Sequence, residues 1–108
     1  MSNARVERGG SGELQLFGVL DYQSGPALRQ AGQALIRAGK GERLLIDCSS
    51  VEKSSSVGLS LLLAFTRDAR ASERQVEIIG VPEDMREIAK VSGLLEILPL
   101  AGDSEGAI

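Results

Sequence analysis

Three short segments of this 108-residue chain carry side chains able to do chemistry. Asp47-Cys48 sets a carboxylate beside the single thiol, the makings of a base and a nucleophile. Gly39-Lys40-Gly41 has the composition of a phosphate-cradling loop. Ser54-Ser55-Ser56 opens onto the apolar run Val57-Gly58-Leu59, where hydroxyls can cap a helix or meet a partner. The first two weaken on inspection. A phosphate loop needs four residues between its first glycine and Gly-Lys, then Ser or Thr to hold magnesium. Here Gly32 lies too far back and Gly41 follows the lysine, so Gly39 reads as a helix stop. The chain contains no histidine. That excludes a Ser-His-Asp or Cys-His site, a His-ligated zinc and a histidine phosphorelay on this chain. Without an activating base Cys48 reads as a small buried residue, and Asp47 as an acceptor for backbone N–H groups of the following loop. One cysteine forms neither an internal disulfide nor a metal cluster.

Composition narrows the field further. A net charge of −3 argues against a broad basic surface for nucleic acid, and 3% aromatics leave little for base stacking. No cofactor is expected. No run approaches the roughly 20 apolar residues of a membrane span, and Met1–Arg5 lacks an apolar signal core. The expectation is a cytoplasmic protein without direct membrane insertion. With 43% hydrophobic residues, the chain reads as one domain over 1–108, with loose ends at 1–4 and 101–108.

The serine segment must be positioned by the elements around it. Glu13–Val19 alternates polar and apolar residues, the period of a half-buried strand, and Arg5–Arg8 can form a short strand before it. Ser24-Gly25-Pro26 opens a helix with Ser24 as N-cap. Its core face is Leu28, Ala31, Gly32, Leu35 and Ile36. Arg43–Asp47 reads as a buried central strand, and a serine-rich loop follows it. A helix then runs from about Ser56 to Ala71, a strand covers Gln75–Ile79, and Pro82 starts a third helix that Gly93 stops. Leu94–Leu100 returns as a helical turn and an edge strand. Strands alternating with helices predict an α/β fold: a mixed sheet of four to five strands packed with three to four helices.

The helix beginning near Ser56 is the informative element. At 3.6 residues per turn, Gly58, Leu61, Leu62, Phe65 and Ala69 gather on the core side. The opposite stripe is Ser56, Ser60, Leu63 and Arg67, flanked by Leu59 and Arg70. Leucines in an outward stripe bordered by serines and arginines predict a protein interface.

The order of elements, with Leu45-Ile46-Asp47-Cys48-Ser49-Ser50-Val51 leading to Ser55-Ser56-Val57-Gly58-Leu59, resembles the STAS domain. That is the fold of bacterial anti-sigma-factor antagonists and of sulfate-transporter tails. The resemblance extends to Leu16–Asp21 and covers nearly the whole chain. It implies that Ser56 occupies the family's phosphorylatable site, with Gly58 and Leu59 as the motif's glycine and leucine, and that Ser55 stands where the family has an aspartate. Gly80-Val81-Pro82-Glu83 and Ile88–Leu94 look most like the MlaB-type subunits of a phospholipid-transporting ABC transporter. That likeness implies a non-catalytic subunit docked on the transporter's ATPase at the cytoplasmic side of the inner membrane. Ser56 would be the cap and a close contact, Leu59 and Leu63 apolar anchors, Ser60 a small residue allowing close approach, and Arg67 a rim contact. The alternative is an anti-sigma-factor antagonist, with a kinase or anti-sigma factor as partner and phosphorylation of Ser56 as the switch.

Overall fold

A computed structural model describes residues 4–101. Its elements are β1 (Arg5–Arg8), β2 (Leu14–Leu20), α1 (Gly25–Ala38), β3 (Arg43–Ser54), α2 (Ser56–Ala71), β4 (Gln75–Ile79) and α3 (Glu83–Val91). The strands form one sheet in the order β1-β2-β3-β4. β1 and β2 are antiparallel, β2, β3 and β4 parallel. After α3 the chain returns to the sheet edge, where Leu100 bridges Ile78 in parallel. The expected mixed sheet is therefore present, with four strands and three helices.

Parallel neighbours need crossovers, and right-handed crossovers stepping one way across a sheet put their helices on one face. That face holds the core. Leu14, Leu16 and Leu20 of β2, Leu44, Ile46 and Cys48 of β3, and Ile78 of β4 join Leu28, Ile36, Leu59, Leu62, Phe65, Met85 and Ala89 of the helices in one buried cluster. The other face carries half-buried Phe17, Val19, Leu45 and Ile79, with the Arg5 guanidinium 4.1 Å from the centre of the Phe17 ring. α1 and α2 touch through an absence: a Cβ on Gly32 would intrude on the Phe65 ring.

Four local expectations are corrected. Ala31 of α1 is exposed, so the buried face narrows to Leu28, Gly32 and Ile36 with Leu35 half-buried. Ser24 holds the N-cap position without capping; its hydroxyl donates to Val19 O at 2.9 Å and accepts from Asp21 N at 3.0 Å. The serine-rich loop is strand, because β3 continues to Ser54. Opposite β2 it carries two extra residues, one between the Gln15–Asp47 and Phe17–Ser50 pairs and one between Gly18–Val51 and Val19–Lys53. Such bulges break the period of two that marks a strand in sequence. The loose ends assigned to 1–4 and 101–108 lie outside the described residues except for Ala4 and Ala101. Ala4 packs on the core and Ala101 N donates to Ile78 O at 2.7 Å, so neither is loose.

One buried charge ties the layers together. Arg74, 7% exposed, enters β4 and donates to four backbone carbonyls, those of Ile36, Lys40, Gly41 and Arg43, at 3.1 to 3.3 Å. These are the open carbonyls at the end of α1 and along the turn into β3, groups that would otherwise be short of donors.

Candidate functional site

The C-terminal ends of β2 and β3 lie side by side, with Leu20 opposite Ser54. Ser55 N donates to Leu20 O at 2.9 Å, which sets the start of α2 beside the loop that starts α1. The ends of parallel strands are where α/β sheets bind ligands and partners. Three successive serines divide the work there. Ser54 is buried and donates to Ser55 O at 2.7 Å. Ser55 is the N-cap, its Oγ accepting from Val57 N at 3.1 Å. The cap role assigned to Ser56 thus belongs to Ser55. Ser56 is the first helical residue, exposed, and its hydroxyl makes no hydrogen bond among the described residues.

Gly58 makes this start possible. A Cβ there would overlap Ser54 Oγ and lie 3.0 Å from Met85 Cε, so only glycine lets β3 turn so tightly into α2 beneath α3. Further along α2, Ser60 and Arg67 are exposed and Leu63 is half-buried, in line with Ser56 on the outward stripe. Arg70 is exposed on the same side. Leu59 is not part of it. It is 1% exposed, in the buried cluster that includes Met85 and Ala89 of α3, the helix packed against α2. Its assignment as an apolar anchor is therefore corrected: Leu59 is core, and Leu63 is the leucine that the stripe offers to solvent.

Two features of this surface carry no pattern in the sequence. Tyr22, 77% exposed, stands in the loop before α1. Between it and α2 runs an apolar groove of about 430 Å³, walled by Pro26 of α1 and by Val57, Leu61 and Ala64 of α2. Ser60 and Arg29 sit at its margins, and Arg29 also pairs with Asp68 of α2. An aromatic residue beside a cap motif was the one available signal for Tyr22.

The other chemical candidates are inert by geometry. Cys48 is fully buried, and burial, helped by the Asp47 charge, pushes its thiol up to about 12. A protonated, inaccessible thiol is not a nucleophile. Asp47 Oδ1 accepts from Ser49 N at 2.9 Å and from Ser49 Oγ, the backbone role expected of it, although Ser49 lies in a strand bulge and not in a loop. Among the described residues no three His, Cys, Asp or Glu side chains come together to hold a metal, and no helix is long and apolar enough to cross a membrane.

Comparison with known proteins agrees with this architecture. A family model described as "Mlab, STAS domain" matches residues 4–99. The "Putative anti-sigma factor antagonist BtrV" of Bordetella bronchiseptica is 30% identical over 69 residues, which are 63% of this chain and 60% of that protein's length. A crystal structure of an anti-sigma factor antagonist from Mycobacterium paratuberculosis superposes with a TM-score of 0.74 at 27% identity, covering 100% of this chain and 94% of the other. The unphosphorylated anti-sigma factor antagonist SpoIIAA superposes at 0.68 with 19% identity, covering 96% of this chain and 92% of that one, which is a likeness of fold.

Proposed function

The chain belongs to the STAS domain family, and from that membership we propose that it is an anti-sigma factor antagonist, a non-catalytic cytoplasmic protein that binds an anti-sigma factor through the outward stripe of α2. One observation carries the reading: Ser56 stands exposed at the first position of α2 with an unengaged hydroxyl, while Ser55 does the capping. A phosphoryl group can therefore be added to Ser56 without removing a bond that holds the helix. It would sit at a helix N-terminus, where the dipole favours negative charge. Binding responds differently. Phosphorylation brings about −1.5 to −2 charges into a contact that must shed water, at a cost of several kcal/mol unless a cation meets them. The modification thus switches association and leaves the fold alone. The anti-sigma factor antagonists of similar sequence and shape support this reading.

A second reading is favoured by two observations. The matching family model is described as Mlab, and Ser55 occupies the position where the STAS motif carries an aspartate. On that reading the same stripe docks on the ATPase subunit of a phospholipid transporter and Ser56 is never phosphorylated. The test is purification of wild-type, Ser56→Ala and Ser56→Glu chains from the native host, with mass spectrometry of the chain and of whatever accompanies it. The switch reading expects phosphate on Ser56, an anti-sigma factor held by wild type and Ser56→Ala, and binding by Ser56→Glu weakened at least about a hundredfold. An ATPase and permease recovered with an unphosphorylated chain would replace it with the transporter reading.

A further inference from the structure

The end of the sheet opposite Ser56, where β2, β3 and β4 begin and α1 finishes, gathers three cations around one cavity. It measures about 330 Å³, at the small end for ligand pockets. Arg8 of β1, Gly12 before β2, Ala38 of α1, Gly39 and Lys40 in the turn to β3, and Arg74 before β4 line it. No acid does. Glu13 turns its carboxylate to Ser11 N at 2.9 Å, and Glu42 and Glu73 are exposed outside the cavity. Donors remain unspent. The Lys40 ammonium is exposed and has no partner among the described residues. Arg8 donates once, from Nη2 to Leu35 O at 3.0 Å, which leaves Nε and Nη1. Arg74 has five N–H donors and gives four to carbonyls, so one on Nη1 is left. A Cβ at position 39 would lie 2.9 Å from that nitrogen, and glycine leaves it uncovered on this side. The carbonyls ending α1 oppose an anion with about half a unit charge, but they already accept from Arg74, Arg8 and Gly39 N. Three full positive charges outweigh them. No aromatic or large apolar side chain lines the cavity, so a nucleobase or an acyl chain finds no seat there.

We propose that this cavity is a phosphate site, which takes inorganic phosphate or the phosphate end of a small phosphomonoester. Arg8 offers a guanidinium fork, Lys40 a compact ammonium on a flexible stem, and Arg74 a donor fixed in place by its four carbonyls. Three cations brought by three elements suit a tetrahedral dianion better than a planar, singly charged carboxylate. Gly39-Lys40-Gly41, whose spacing fails the phosphate-loop rule, contributes here a side chain and a bare Cα in place of a backbone cradle. The site is independent of the proposed function, since it shares no residue with the outward stripe of α2. A bound dianion ties the α1–β3 turn to β1 and to the head of β4, and stabilises the chain by mass action.

The test is a titration of the full, nitrogen-15-labelled chain with inorganic phosphate and, in parallel, with glycerol 3-phosphate and with acetate. Amide signals are followed near neutral pH, with ionic strength held constant by sodium chloride. The expected result is a saturable shift at Gly12, Gly39, Lys40 and Gly41, with Ser56 and Val57 unmoved. Tighter binding of glycerol 3-phosphate assigns the site to a phosphomonoester, and tighter binding of inorganic phosphate assigns it to the free ion. Acetate should bind at least about tenfold more weakly than either. Lys40→Gln and Arg8→Gln should each weaken phosphate binding at least about tenfold, with the spectrum elsewhere unchanged. Arg37→Gln removes an exposed charge of α1 outside the cavity and should leave the affinity within about twofold. A loss in Arg37→Gln equal to that in Lys40→Gln would mean diffuse attraction and overturn the site. So would acetate binding as tightly as phosphate, an absence of saturable shifts, or shifts confined to Ser56 and Val57, which would place the anion at the start of α2.

Discussion

Gly32→Ala tests the α1–α2 contact on which the groove and the stripe both depend. The added Cβ would lie closer than 3.0 Å to Phe65 Cε1 and Cζ and 3.2 Å from Cδ1. Carbon atoms settle at about 3.5–4.0 Å, so the ring must retreat by roughly 1 Å or α1 must lift. Phe65 is 0% exposed, a large side chain closed in on all sides, which leaves the ring no free direction. Overpacking of this kind costs about 1–3 kcal/mol. Against it stands the gain of alanine over glycine within a helix, about 1 kcal/mol. With the ring closed in on all sides the cost lies in the upper part of that range, and the net loss is up to about 2 kcal/mol. With a urea slope of about 1–1.5 kcal/mol/M, the unfolding midpoint should fall by about 1 M. Phe65→Leu supplies the control. In that background the ring carbons are gone and Gly32→Ala should become neutral or stabilising, a coupling of at least about 1 kcal/mol in the double-mutant cycle. A higher urea midpoint for Gly32→Ala alone would refute the close approach of the two helices.

Leu59→Ala should cost about 2–5 kcal/mol in chemical denaturation, as expected of a core cavity. Leu63→Arg should lose about 1 kcal/mol or less while abolishing partner binding, and equal destabilisation by the two would mean that α2 is rotated. Arg74→Met should cost about 3 kcal/mol, because four carbonyls lose a charged donor, and hydrogen exchange at Gly41–Arg43 should quicken with it. Cys48 makes stability fall at high pH. Its thiol is held protonated in the fold, pushed up to about 12 from 9.0, so the unfolded chain loses this proton first and is favoured as pH rises past 9. The loss should reach about 2 kcal/mol near pH 10.5 in denaturation curves and be missing from Cys48→Ala. A pH dependence identical in the two proteins would contradict it.

What the sequence reveals and what it hides have physical causes. α1 and α3 are local: amphipathic spacing, Pro26 or Pro82 at the start and a glycine or serine at the end mark them without help from the rest of the chain. The first half of β3 is equally plain, a continuous apolar run. Its second half is invisible because two bulges put Ser49, Ser50, Glu52 and Lys53 outside, an arrangement set by β2 across the sheet. Leu59 is misjudged for a similar reason. A helical wheel divides α2 into inside and outside, but a third helix, 27 residues later in its first turn, decides how far the inside extends. Arg74 carries no mark at all. Its partners are carbonyls, which every sequence has, and only the tertiary fold gathers four of them about one guanidinium. Ser55 and Ser56 are adjacent and alike, and backbone angles alone choose which one caps.

The Arg74 clasp also imposes an order in time. Its four acceptors lie 31 to 38 residues upstream, while Arg8 of β1 reaches only the last turn of α1 before them, donating to Leu35 O at 3.0 Å. On the ribosome, where chains fold from the N-terminus as they emerge, α1 and the beginning of β3 leave the exit tunnel well before residue 74. Until then the hinge between them is held by chain connectivity, by the terminal helix bond from Gly39 N to Leu35 O and by Arg8 on the same carbonyl. The arrival of one arginine at the head of β4 completes that hinge and seats the last strand in a single event. Tethered to the ribosome through a linker long enough to span the tunnel, a chain ending at residue 73 should therefore have α1 formed but undocked, open to proteases at Lys40 and Arg43, and one extended through β4 should close both sites together.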